Sequence, residues 1–246
     1  MPTIRAYHRP ATLDEALALV SRADGDATLL AGGTVLNGLP DEHPIDVVDL
    51  QALGMDGFTV AGERLEIGAM ARLQQLATHD LVPGMLRDLA HREAPNTIRN
   101  AATIGGTVAG ADWESELLAG LLAFEADVTV VHGIGAETIA LTELLDERDR
   151  LGLGIITTVS IAVGGDAAAA RTGRTPADRP IVAVVGRRSD DGRLLIAATG
   201  VAETPVLIDA AGALDPPADF RGSADYRRHL AATLRQRVTT RLGETV

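Results

Sequence analysis

Hydrophobic positions along the chain fall in short runs whose period alternates between that of a helix and that of a strand. Thr12-Leu-Asp-Glu15 has the spacing of a capping box. Leu13, Ala16, Leu17 and Val20 then follow at helical intervals, which predicts a helix. Ala27–Leu30 predicts a short strand running directly into Ala31-Gly-Gly-Thr34. Residues 46–50 and Arg64–Gly68 predict two more strands. Helical spacing returns over residues 73–89, interrupted at Pro83-Gly84, and again over residues 116–124, where Leu117, Leu118, Leu121 and Leu122 form the apolar stripe. Asp127–His132 and residues 137–141 predict a hairpin around Gly133-Ile-Gly135.

Further on, strands are predicted at residues 181–185 and Leu194–Thr199, joined by a turn at Asp190-Asp-Gly192. A closing helix over residues 223–242 places Tyr226, Leu230, Leu234 and Val238 on one face. Strands and helices in segregated blocks indicate an α+β protein. Residues 151–165 are uncharged but are broken by four glycines and are too short to cross a bilayer.

Charge divides the chain. Residues 1–165 carry 10 arginines against 24 acids, and residues 166–246 carry 12 against 10. The change falls at Gly164-Gly165-Asp166, which reads as loop-like and is followed by an alanine-rich stretch. A boundary is therefore expected there, with domains at 1–165 and 166–246, and a length of 246 residues suits two domains.

Composition removes many function classes. The net charge of −12 disfavours non-specific binding of nucleic acid or of an anionic membrane surface, and six aromatics leave little for base stacking. All 22 basic residues are arginine, so a Schiff-base lysine and a Walker-type phosphate loop are excluded. With no cysteine, the chain holds no disulfide, thiolate nucleophile or cysteine-ligated cluster of its own. The first residues lack the apolar run of a signal peptide, so the cytoplasm is the expected location.

Two segments carry the candidate chemistry. Leu29-Leu-Ala-Gly-Gly-Thr-Val-Leu36 and Ala102-Thr-Ile-Gly-Gly-Thr-Val-Ala109 each run from apolar residues into Gly-Gly-Thr. Paired glycines permit positive φ and allow successive N–H groups to face one concavity, which suits a pyrophosphate; alternatively both pairs are simple tight turns. Neither segment fits the Gly-x-Gly-x-x-Gly fingerprint of a nicotinamide site. Asp112, Glu114 and Glu116 cluster just beyond the second segment. They suit a divalent metal, a solvated helix start or, for Glu116, hydrogen bonds from sugar hydroxyls. No histidine accompanies them, and no metal site is expected. The histidines lack metal-ligand spacing, and no serine sits in a hydrolase elbow, so no catalytic residue is assigned. Trp113 reads equally as a lid or as a core anchor.

At these segments the chain resembles the FAD-binding medium subunit of the xanthine dehydrogenase and carbon monoxide dehydrogenase group of molybdenum hydroxylases. Leu30-Ala-Gly-Gly-Thr34 is similar to the family's first flavin loop and Ile98-Arg-Asn-Ala-Ala-Thr-Ile-Gly-Gly106 to its second. Val48-Asp-Leu50, Ile67-Gly-Ala69, Ala126-Asp-Val128, Arg174-Thr-Pro-Ala-Asp178 and Asp225-Tyr-Arg227 follow in family order. The resemblance implies a two-subdomain FAD-binding domain of the vanillyl-alcohol-oxidase (PCMH) type, then a small α+β C-terminal domain.

It further implies FAD as cofactor. Leu29, Leu30, Ala31, Gly32, Gly33, Thr34, Val35 and Leu36 would wrap the diphosphate. Thr103, Ile104, Gly105, Gly106 and Thr107 would contact the diphosphate and nearby ribose or ribityl groups. Glu116 stands at a family aspartate, Ile156 where an aliphatic residue packs on the isoalloxazine ring, and Arg171 or Arg174 near a family lysine. Thr107 and Trp113 depart from the usual asparagine or serine and proline. Valine at Gly33 or Gly105 is expected to abolish flavin retention by filling the phosphate nest.

In such a family the subunit relays electrons. A small subunit with two two-iron two-sulfur clusters reduces the FAD, a large molybdopterin subunit oxidises the substrate, and NAD, oxygen, a quinone or another acceptor receives the electrons. The assembly would be a heterotrimer or a dimer of heterotrimers. Two alternatives are a stand-alone flavin oxidoreductase, similar to the reductase that makes UDP-N-acetylmuramate, and a scaffold that has lost its flavin. The first of these lacks a suggestively placed serine or cysteine proton donor.

Overall fold

A computed structural model describes residues 2–22, 27–38, 44–175, 178–208 and 214–243. The centre of the Arg174–Asp178 segment, Pro176-Ala177, lies outside them. The chain opens with β1 (Ile4–His8), α1 (Leu13–Val20), β2 (Ala27–Leu30) and β3 (Ile45–Asp49), which build a parallel sheet in the order β1-β3-β2. Helix α1 starts where its sequence directs. Thr12 Oγ1 accepts the Glu15 N–H at 3.2 Å, while the Glu15 carboxylate reaches back to the Ala11 N–H at 2.9 Å, one residue before the usual partner of a capping box. Ala16, Leu17 and Val20 form its buried face, in one cluster with Val48 and Leu50.

The middle of the chain holds β4 (Phe58–Ala61), β5 (Arg64–Gly68), α2 (Leu73–Thr78), α3 (Gly84–Glu93), α4 (Asn96–Arg99), α5 (Ile104–Gly110) and α6 (Glu116–Ala123). It continues through β6 (Asp127–His132), β7 (Gly135–Ala140), α7 (Leu141–Asp146) and β8 (Ile155–Ala162). The five strands form an antiparallel sheet in the order β4-β5-β8-β6-β7. Strand β8 lies within the stretch read from sequence only as glycine-broken. Its glycines flank the β-branched run instead of interrupting it, and that run is paired on both sides, by β5 and β6.

Helix α6 departs from the single stripe expected of it. All eight of its residues are buried, because α3 covers one side and the final sheet the other. Gly120 marks the crossing with α3, where a Cβ would lie 2.4 Å from Leu89 Cδ1.

That final sheet, in the order β12-β11-β10-β9, is antiparallel and comprises β9 (Asp166–Thr172), β10 (Val182–Arg188), β11 (Leu194–Thr199) and β12 (Val206–Leu207), with α8 (Ala224–Arg241) across it. The alanine-rich stretch after Gly165 is thus a strand, paired with β10 along its whole length. Alanines give little hydrophobic signal, yet their small side chains let α8 lie close enough for Arg241 to donate to the Ala169 carbonyl at 2.6 Å. Leu234 and Val238 of α8 are buried as expected and Leu230 packs partly buried on the same cluster, but Tyr226 is 43% exposed, and Arg227 and Ala231 are buried as well. Arg227 tolerates burial because its guanidinium donates to Ile181 O at 2.5 Å, Gly200 O at 3.3 Å and Asp219 Oδ1 at 2.7 Å.

Candidate functional site

The first Gly-Gly-Thr segment leaves β2 as an open turn. Gly33 has φ +70°, a conformation that a side chain makes costly. Gly32 is required for a different reason: a Cβ there would lie 2.1 Å from the Ala101 carbonyl oxygen, so this loop rests backbone to backbone on the chain that leads into the second. Among the described residues, nothing accepts a hydrogen bond from the N–H groups of Gly32, Gly33 or Thr34.

The second segment is not a turn. Thr103 caps α5, and Gly105, Gly106 and Thr107 form its first turn, with neither glycine at positive φ. Every N–H there is already engaged. Ile104 N–H donates to Ala71 O and Gly105 N–H to Ala69 O, each at 2.9 Å; Gly106 N–H donates to Thr103 Oγ1 at 3.1 Å and Thr107 N–H to Thr103 O at 2.9 Å. Gly105 is needed for packing, since a Cβ would lie 2.8 Å from both Cβ and O of Ala69. A valine at Gly105 would therefore clash with that backbone, not fill a phosphate nest as the sequence suggests.

Between the two segments lies a cleft of about 400 Å³. Leu29, Leu30, Ala31, Gly32, Gly33, Thr34, Val35 and Leu36 all line it, and so do Thr103, Gly105, Gly106, Thr107 and Ile156. Ile104 does not; it is fully buried in the largest core cluster. Glu116 and Arg171 do not line it either. The Glu116 carboxylate is held by Arg171 Nε at 2.9 Å and Arg92 Nε at 3.6 Å, so its charge is met within the protein. Arg171 also donates to the Asp178 carbonyl. Arg174, 3.8 Å from Asp178, is absent from the lining as well; the cation on the cleft wall is Arg179.

The acidic cluster is met by arginines from distant segments: Asp112 pairs with Arg179 and Glu114 with Arg221, as Glu116 does with Arg171. Trp113 is an anchor. Its carbonyl accepts from Gly200 N–H at 2.9 Å and from the Thr199 hydroxyl, and its ring stacks under the Arg227 guanidinium, 4.9 Å from the centroid.

Several lining residues, Met70, Ala94 and Arg179 among them, have no counterpart in the sequence analysis, and one more is an acid. Glu93, the last residue of α3, reaches the cleft wall, and its Oε2 accepts the Leu117 N–H at 3.1 Å in the first turn of α6. Withdrawal from water pushes this carboxyl above its ordinary value, against the lowering effects of the Ser115 hydrogen bond, the Leu117 N–H and Arg179. The available signal was an acid in the last turn of a helix, where the macrodipole disfavours it.

Comparison with known proteins agrees with this architecture. The chain is 30% identical to the protein YgfM of Escherichia coli K12, over 94% of this chain and 93% of that one. It is 29% identical to the carbon monoxide dehydrogenase medium chain of Hydrogenophaga pseudoflava, over 94% of each. A solved carbon monoxide dehydrogenase from Oligotropha carboxidovorans superposes with a TM-score of 0.86 at 25% identity, covering 98% of both chains. The family described as the FAD binding domain in molybdopterin dehydrogenase matches residues 2–161, and the chain belongs to that family.

Proposed function

We propose that this member of the molybdopterin-dehydrogenase FAD-binding family is the electron-relaying medium subunit of a molybdenum hydroxylase. It would receive electrons from an iron–sulfur small subunit and pass them to NAD, oxygen, a quinone or another acceptor, while a molybdopterin large subunit oxidises the substrate. A heterotrimer or a dimer of heterotrimers in the cytoplasm is the assembly this reading carries. Among the described residues, no helix is long and apolar enough to cross a membrane.

The observation that carries the proposal is the set of N–H groups at Gly32, Gly33 and Thr34, which lack an acceptor and lie along the cleft. Such a row, with no Cβ at two of its three positions, fits a diphosphate that the chain must hold without any lysine. Gly106 and Thr107 border the same space, and the aliphatic Ile156 suits a flat ring. When bound, FAD supplies the redox chemistry; these residues bind and orient it and shield it from water.

The test is isolation of the chain from its native host, with a visible spectrum, chromatography of the heat-released cofactor, and iron and molybdenum analysis. One FAD per chain, with co-purifying iron–sulfur and molybdenum subunits, is expected. A flavin-loaded chain that emerges alone, free of both metals, would overturn the subunit assignment.

A further inference from the structure

The cleft contains a carboxyl group that the FAD assignment does not account for. Glu93 lines the same cavity as the Gly32-Gly33-Thr34 donors, and its attachment to α6 fixes it there. The Ser115 hydroxyl that hydrogen-bonds it also accepts the Leu118 N–H at 3.0 Å, so Glu93 and Ser115 together cap the start of α6. The charged groups facing Glu93 come from three directions. Arg179 and Asp112 lie beside it in the cleft and are paired with each other, and Arg92, next to it on α3, is turned to Glu116 and its partner Arg171. Arg99 of α4 donates to the His91 and Ala94 carbonyls on either side of it. Each of these cations is thus already engaged, and none neutralises Glu93 outright.

A diphosphate entering this cavity adds two negative charges. An ionised Glu93 would face them across a confined, largely apolar space, whereas a neutral acid offers a hydrogen-bond donor instead. We propose that Glu93 is an FAD-binding residue that acts as an uncharged acid: the loaded cleft holds its carboxyl protonated and donating to the cofactor. The inference rests on FAD being the occupant. Its sign follows from linkage. If binding favours the protonated carboxyl, FAD uptake consumes a proton, and affinity falls as pH rises through the titration of Glu93 in the apoprotein. Burial already places that titration above the ordinary glutamate range.

The experiment is calorimetric titration of FAD into the deflavinated full-length chain at one pH, in two buffers of different ionisation enthalpy, for wild type and E93Q. Glutamine keeps the acceptor for Leu117 N–H and cannot titrate. Wild type is expected to take up close to one proton per FAD, and its affinity to weaken correspondingly by up to about tenfold for each pH unit between pH 6.5 and pH 8.5. E93Q is expected to take up none and to bind with a flat pH profile. Equal proton uptake by E93Q, or none by wild type, would overturn the proposal. A second readout uses wild type alone: the infrared difference spectrum of loaded minus apoprotein should show a protonated-carboxyl band that shifts on ¹³C-glutamate labelling, and its absence would likewise overturn the proposal. A wild-type chain that binds no FAD at any pH would instead overturn the cofactor assignment on which this rests.

Discussion

Gly32-Gly33-Thr34 leaves a strand as an open turn, whereas Gly105-Gly106-Thr107 closes into the first turn of a helix. The two triplets are identical, so the difference must come from what surrounds them. Two residues before the first glycine stands Leu30 in one case and Thr103 in the other. A threonine hydroxyl can accept an N–H of the first turn and start a helix; a leucine cannot. Residues 69–71 then accept the two N–H groups that Thr103 leaves over, while no described residue accepts from Gly32, Gly33 or Thr34, where the loop rests on the backbone at Ala101. One segment therefore leaves its donors open along the cleft and the other uses them to hold its own shape. A shared motif is not a shared role.

The largest expected effect tests the packing side of this contrast. Gly105→Val forces a side chain onto the Ala69 backbone and should destabilise the apoprotein by about 3 kcal/mol in a urea titration. An unchanged midpoint with flavin lost would show that the second loop is a phosphate nest after all. Gly33→Val should act in the opposite proportion. Positive φ costs a side chain about 1–2 kcal/mol, but FAD affinity, followed by flavin fluorescence, should fall by at least about tenfold through displacement of the neighbouring donors. Equal stability losses in the two variants, with affinity kept in Gly33→Val, would erase the distinction. The smallest effect is at the cap: Thr103→Ala should lose about 1 kcal/mol, and Thr103→Ser should restore it. A loss that serine does not restore would mean that the hydroxyl is not what starts α5.

Much of the fold was legible because its signals are local. The Thr12 cap, the hairpin at Gly133-Ile-Gly135 and the apolar run of α6 each depend on residues a few positions apart. Strand β9 was not legible, because alanines carry no strand pattern and its identity comes from pairing with β10. At the start of α8 the buried residue is Arg227 where Tyr226 was expected, because an arginine reads as polar. Only the carbonyls of Ile181 and Gly200 and the Asp219 carboxylate make its burial tolerable. Of the residues expected at the cofactor, residues 29–36, Thr103, Gly105, Gly106, Thr107 and Ile156 line the cleft, while Ile104 is buried in the core and Glu116 and Arg171, paired with each other, lie off the lining.

By itself, the sequence determined the chemistry available to this protein. With no lysine, an anionic cofactor has backbone N–H groups, hydroxyls and arginines to meet it, and the two Gly-Gly-Thr segments mark where backbone N–H groups can face one concavity. Tertiary structure alone decided which of the two segments keeps its donors, which of the arginines reaches the cleft, and that Glu93 stands on its wall. The reason is physical: a hydrogen-bonding group or a charge serves a ligand only when no nearer partner in the folded chain has already taken it, and those partners lie far away in sequence.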